Sequence, residues 1–387
     1  MKNLKNIILL TGIFGTLLLS SCKEDDPAKM RQKAVEKLYN KGTVKIAVAN
    51  SFETNKSLMW EGILLAQERI EKENICPVKI ELIKCEDGGT VTSGNLKAYE
   101  IASDKEISAV IGHGYSDLSL SCSLIYQYYG ILHFNFISTI HTLTERNNPL
   151  IFSNIPCDLD LGEAAAKLCE EKGYQKLVIY YLENVSGTSI SNTFELGCNN
   201  RGISIVARES YDNTSSDTEI ERSLKRIKNN FVFDAVFLAG RMPSITNVVD
   251  IARENEINVP FIGSDTFDDP LFESHFTEAE DGKLFCVTNY DEETDFESAN
   301  KFYSDFMEKY GKEADIEAVQ AYDALLVLAK AIAKAASAVP EDIAEALHGD
   351  VWKEAAGPYA FDMAGSCKGH SLTFKEFKDG SFTEIQK

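Results

Sequence analysis

From Thr43 onward, short runs of β-branched and aromatic residues alternate with amphipathic stretches of helical length. The strand candidates of the first half are VKIAVA (44–49), VKIELI (78–83), AVIG (109–112) and ILHF (131–134), with helical patterns at about 57–73, 93–103 and 117–129 between them. A second series follows Pro156: KLVIYY (176–181), SIVAR (204–208), AVFLA (235–239) and VPFIG (259–263). Strands that are apolar on both faces and separated by helices imply parallel sheets covered on both sides. Two such series in tandem predict an α/β protein of two doubly wound parallel-sheet lobes. Helices near 294–310 and 316–336 come next, and the tail from Gly357 reads as short antiparallel strands with turns at Gly365 and Asp379-Gly380.

Composition narrows the function classes. With 44% apolar and 26% charged residues, the 387-residue chain can fill large cores, which excludes disorder as its overall state and suits two domains. Its 60 acidic residues against 39 basic ones give a formal charge of −21, so nucleic acid is a poor partner. No Gly-rich loop ending in Gly-Lys-Ser/Thr is present, and no GxGxxG opens a helix after a strand. GHGYSD (112–117) lacks the Gly two residues after the Ser that a nucleophile elbow needs. The six histidines show no HExxH or comparable spacing. The sequence therefore supports no enzyme, no metal and no cofactor.

At the N-terminus, Lys2 and Lys5 precede an apolar run from Ile7 to Leu19, then Ser20, Ser21 and Cys22. This is the layout of a secretory signal over residues 1–21, too short to span a bilayer comfortably. Leu19-Ser20-Ser21-Cys22 resembles the bacterial lipobox, which implies acylation of Cys22 and a membrane anchor. Lys23-Glu24-Asp25-Asp26 resembles the acidic tract that directs lipoproteins of the Bacteroidota to the cell surface, and it reads equally as a solvated tether. Residues 22–42 are a tether and a stalk or docking helix closed by Gly42. The other eight cysteines form no close pairs, and several lie in apolar patterns, as buried free thiols do.

In doubly wound sheets, ligands bind beyond the carboxyl ends of the strands, near helix N-termini with unpaired N–H groups. At those ends stand Ser116 after AVIG, and Ile137, Ser138 and Thr139 after ILHF, hydroxyl-bearing loops suited to a carboxylate. Each hydroxyl serves equally well as a helix N-cap. In the second series, AVFLA leads to Arg241 and VPFIG to Asp265. Asp265 can neutralise an ammonium, and Arg241 can pair with an acid on the ligand or with Asp265 itself.

AVIGHGYS (109–116), GILHFNFISTIHTLT (130–144), IFSNIPCD (151–158), AVQAYDALLVLAKAI (318–332) and GPYAFDMAGS (357–366) together resemble the type I periplasmic substrate-binding proteins, leucine/isoleucine/valine-binding family, of ATP-driven importers. The resemblance implies two lobes joined by a three-crossing hinge: 43–155 plus 289–355, and 156–288 plus 356–387. It implies that the positions of Ser116, Ile137 and Thr139 hold an amino acid α-carboxylate, and that of Asp265 its ammonium. Ser186 and Arg241 replace aromatic residues of the branched-chain binders, and Ile137 replaces a small one, so an acidic or polar ligand becomes plausible. The implied partners are a small zwitterion and an ABC permease or membrane receptor. The implied place is the cell envelope, periplasmic or on the outer-membrane surface. The alternatives are a sensor or a surface scavenging lipoprotein of the same fold.

Overall fold

The computed structural model describes residues 26–146, 148–288, 297–368 and 372–385. The signal segment and Cys22 lie outside the described residues. Five parallel strands form the first sheet, in the order β2-β1-β3-β4-β5: β1 (Thr43–Asn50), β2 (Lys79–Glu86), β3 (Ile107–Ile111), β4 (Leu132–Asn135) and β5 (Ile151–Ser153). Alternate residues of β1 point to opposite layers. Ile46 and Val48 join one core, while Ala47 and Ala49 join another. The first core holds the helices α2 (Met59–Glu73) and α11 (Ile316–Ala335), the second α3 (Val91–Ser103) and α4 (Ser116–Tyr129).

The second sheet repeats the plan. Strands β6 (Lys176–Leu182), β7 (Ser204–Tyr211), β8 (Ala235–Ala239), β9 (Phe261–Gly263) and β10 (Leu284–Thr288) run parallel in the order β7-β6-β8-β9-β10. An antiparallel hairpin, β14 (Thr373–Lys378) and β15 (Ser381–Glu384), extends it beyond β10. Leu177 and Ile179 face the layer of α5 (Asp158–Glu171) and α6 (Val185–Asn200). Val178, Tyr180 and Leu182 face α7 (Asp217–Asn230) and α8 (Ser244–Glu254). Both faces are buried, which is why these strands read as continuous apolar runs. The chain passes from the first sheet to the second at 154–157, while residues 289–296 and 369–371 lie outside the described residues.

Tandem doubly wound sheets, α/β throughout, agree with the sequence expectation. The boundary at 356 does not. A small antiparallel sheet, β11 (Val351–Glu354), β12 (Gly357–Phe361) and β13 (Cys367–Lys368), contributes Trp352, Tyr359, Phe361 and Cys367 to the first core. The buried Asp323 carboxylate on α11 accepts hydrogen bonds from the N–H groups of Ala355 and Ala356 (2.9 and 2.7 Å) and from the Tyr359 hydroxyl (2.5 Å). Those bonds fasten residues 356–368 to the first lobe, and the switch to the second falls only before β14. Ahead of α11 in sequence lies α10 (Glu297–Tyr310), whose Phe302 and Phe306 join the same core, and after it α12 (Pro340–His348) adds Ile343 and Leu347. The approach of α2 to α11 is close enough that a Cβ at Gly62 would sit 2.1 Å from the Ala318 carbonyl oxygen.

The N-terminal helix α1 (Pro27–Tyr39) is docked rather than free-standing. Arg31, 1% exposed, donates to the carbonyls of Tyr129, Asp104, Ile107 and Ala102 at 2.6–2.9 Å, collecting acceptors at the ends of α3 and α4. The eight cysteines from Cys76 onward are free thiols, six of them buried. Arg31→Ala strands those carbonyls and removes a buried cation's bonds, so it should destabilise the first lobe by at least about 3 kcal/mol, read from chemical denaturation.

Candidate functional site

Both five-strand units have the order 2-1-3-4-5, so each has a switch point between its first and third strands where strand ends and helix N-termini leave a crevice. The two crevices face each other across one cavity of about 210 Å³. That is smaller than the about 300–1,000 Å³ of drug-sized sites and suits a small metabolite. Ser116, Ile137, Ser138, Thr139, Ser186, Arg241 and Asp265 all line it. They follow five strand ends: Ser116 after β3, Ile137, Ser138 and Thr139 after β4, Ser186 after β6, Arg241 after β8 and Asp265 after β9. Tyr115, Asp117, Asp158, Asn184 and Glu317 line it as well.

The first lobe supplies donors. Helix α4 begins at Ser116 with Tyr115 before it, and no side chain caps it, so Ser116 is not the N-cap. Instead its hydroxyl accepts from Ser138 Oγ at 3.0 Å. The Asn135 amide fixes the second loop, donating to the Ser138 carbonyl (2.6 Å) and accepting from the Ser138 N–H (2.9 Å). The N–H groups of Ser116 and Asp117 beside these hydroxyls form a place for an anion, while Asp117 Oδ1 takes the Leu118 N–H at 3.0 Å.

Behind this loop lies a buried network. His113 bonds Asp87 through Nδ1 (2.7 Å) and the Tyr126 hydroxyl through Nε2 (2.9 Å), while its own N–H donates to Ser119 Oγ (3.1 Å). Burial opposes protonation of His113, but the Asp87 carboxylate outweighs it and the imidazole is held up to about 9. The charged pair therefore persists at neutral pH and anchors residues 112–116.

The second lobe supplies Asp158, Arg241 and Asp265, and the first adds Asp117 and Glu317. The Asp158 backbone N–H donates to the Thr139 carbonyl at 2.7 Å, which pins the start of α5 against the first lobe's loop. Its carboxylate is 1% exposed, and neither oxygen has a partner within hydrogen-bonding geometry. Burial pushes it up to about 7; the nearby Ser189 and Thr139 hydroxyls oppose the rise and the Asp265 charge adds to it. Asp265, open to the cavity and otherwise enclosed, is also raised, by burial first. Glu317 faces the cavity from α11, bonded by the Asn55 amide (3.1 and 3.2 Å) and the Asn50 amide (3.4 Å). Burial raises it to about 7 against those donors and Ser57, with Asp315 adding to the rise.

Arg241 does not pair with Asp265. Its guanidinium lies 5.1 Å from the centroid of the Tyr115 ring, a cation–π contact between the lobes. A second contact joins Ser189 Oγ and His141 Nδ1 at 3.4 Å. The lobes thus meet in a closed arrangement around the cavity.

Sequence reasoning missed Asp158 and Glu317. IFSNIPCD ends on Asp158, and its place at the first residue of a helix just past a lobe crossing was the available signal. Glu317 is the second residue of an apolar helix, where nothing in the pattern separates it from an ordinary first-turn acid. Among the described residues, no group of three or more His, Cys, Asp or Glu side chains is arranged to hold a metal ion, and no helix is long and apolar enough to cross a membrane.

A family model for periplasmic binding proteins matches residues 44–381. The chain belongs to the periplasmic binding protein family. A leucine-, isoleucine-, valine-, threonine- and alanine-binding protein of Pseudomonas aeruginosa is 25% identical over 352 residues, covering 89% of this chain and 92% of its own. Among solved structures, an ABC transporter substrate-binding protein of Desulfitobacterium hafniense in complex with Leu superposes with a TM-score of 0.78 at 27% identity, over 89% of this chain and all of its own. A leucine binding protein of Thermotoga maritima gives a TM-score of 0.79 at 25% identity, over 89% and 98%. Like these relatives, the periplasmic binding protein described here is a solute-binding protein, not an enzyme.

The Asp158 carboxyl is raised from its unfolded value of about 4, so the empty fold is unaffected at pH 4 and loses stability as pH rises toward 7. The loss is on the order of 4 kcal/mol. Asp158→Asn should therefore raise the melting temperature of the ligand-free protein at pH 8 and leave it nearly unchanged at pH 4.

Proposed function

We infer that this protein is a lipid-anchored, extracytoplasmic solute-binding protein that captures an amino acid or similar small zwitterion by closure of its lobes, for ABC-type import. The observation that carries the reading is the polarity of the cavity. Uncapped α4 and the Ser116 and Ser138 hydroxyls come from the first lobe, with Asp117 beside them, and Asp158 and Asp265 from the second, where Thr139 meets Asp158. A carboxylate at the first and an ammonium at the second would satisfy both ends at once. Neither lobe holds the whole set, so ligand favours the closed state by its differential affinity for the assembled cleft. The amino acids named for the relatives support this class of ligand.

Beyond the zwitterion, the cavity presents Glu317 and Arg241 together with Ser186. Opposite charges at the side-chain end favour a polar ligand over an aliphatic one. The lipobox-like Leu19-Ser20-Ser21-Cys22 supports the anchor. The acidic run 23–26 favours a second reading, surface scavenging, because a protein on the outer face cannot dock directly on an inner-membrane permease. Protease accessibility on intact cells separates the two.

A thermal-shift screen over amino acids, amides and small acids tests the ligand class, since a ligand that binds only the folded state raises its melting temperature. Asp265→Ala should remove stabilisation by zwitterions, and Arg241→Ala should reorder selectivity among them; an unchanged shift in the first variant would reject the ammonium contact. Because an ammonium favours ionised Asp158, affinity should fall by up to about tenfold for each pH unit below 7, measured by titration calorimetry. Metabolic labelling with palmitate should mark the wild type and not Cys22→Ser.

A further inference from the structure

Helix α1 buries Arg31 and Val35, one turn apart, against the first lobe. Its opposite side carries Lys29, Lys33 and Lys37 at intervals of four, all exposed, followed by exposed Lys41. On the exposed side four lysines stand against Glu36 and Asp26, the latter 3.9 Å from Lys29, in a chain whose overall charge is −21. This is the reverse of the molecule's general electrostatics.

The stripe adjoins an exposed aromatic shelf. Ala28 packs under Gly130 at the end of α4, and Lys105 Nζ reaches Met30 Sδ at 3.5 Å. Next to Gly130, Tyr129 meets Tyr128 edge-to-face at 5.0 Å and Tyr99 of α3 at 6.4 Å. Tyr128 is 65% exposed and Tyr99 53%, with Leu124 and Leu96 one turn before them equally bare. Nearby acids are already paired: Glu100 with Lys97, and Asp104 and Glu106 with Lys45. Glu36 on α1 and Glu341, which accepts from the Gln32 amide at 2.8 Å, are the acids left beside it; tyrosines, leucines and an excess of lysines are the composition of a surface that rests at a lipid interface.

Where the chain enters this face decides the occupant. From Cys22 to Asp26 is at most about 14 Å of extended chain. We propose that the face made by α1 and the adjoining parts of α3 and α4 lies on an anionic lipid surface, so that the first lobe is seated on the membrane and the second is the one that swings. The position of the attachment point rests on the lipoprotein reading; the affinity of the face does not, and the two are tested separately.

The test uses the mature chain carrying Cys22→Ser, and hence no lipid, in flotation with vesicles of phosphatidylcholine containing about one-third phosphatidylglycerol at low salt. The chain should float with these vesicles, less so as salt rises and less with pure phosphatidylcholine. Lys29→Glu/Lys33→Glu/Lys37→Glu should lower the partition at least about tenfold, as each lysine near such a surface contributes roughly a factor of five. Tyr99→Ser/Tyr128→Ser should lower it several-fold. All five side chains are exposed, and an unchanged melting temperature confirms that the variants fold. Wild-type protein that stays unbound, or a triple variant that floats undiminished, overturns the proposal. So does a dimer in solution that Tyr128→Ser dissociates, which would seat a second copy on this face. Failure of palmitate labelling, by contrast, would remove the anchor and leave the vesicle result standing.

Discussion

Two carboxylates, Asp158 and Asp265, share one cavity between the lobes, and the proposed ligand is read from that constraint. Asp158 is buried with only the Ser189 and Thr139 hydroxyls beside its carboxylate, and Asp265 adds its charge to the same space. In the empty protein this is a cost, met partly by protonation near neutral pH. In the proposed reading, a ligand ammonium would turn the cost into affinity. The hydroxyls and the uncapped helix on the opposite wall give that ligand a direction, because they favour its negative end.

Repetition of one topology makes the arrangement possible. Each lobe offers a switch point built from the ends of parallel strands, and closure sets the two face to face. The parts that do not touch the cavity hold the parts that do. His113 with Asp87 braces the loop before Ser116, and the backbone bond from Asp158 to Thr139 ties the first residue of α5 to the opposing loop. Arg241 over Tyr115 spans the gap itself, a contact that exists only while the lobes are together.

Strand ends were legible in the sequence because buried parallel strands are unbroken apolar runs, and the residue after each run is fixed to one edge of the sheet. Ser116, Ser138, Thr139, Arg241 and Asp265 were found that way, and all five face the cavity. What escaped depends on contacts between segments far apart in the chain. Asp158 gains its role only when the chain crosses between lobes and α5 starts against residue 139. The β11–β13 sheet reads as a plain set of hairpins until Asp323, more than thirty residues earlier, claims its backbone N–H groups. Likewise α1 has the composition of a loose stalk, and buried Arg31 docks it beside Val35, through carbonyls that no sequence pattern marks.

The central claim is that the cavity holds a zwitterion in one orientation. Crystals grown with whichever amino acid stabilises the protein most would test it directly. The account places the ligand carboxylate at Ser116, Thr139 and the start of α4, with the ammonium between Asp158 and Asp265. A bound molecule in the reverse orientation, or one that leaves both aspartates without contact, would contradict it.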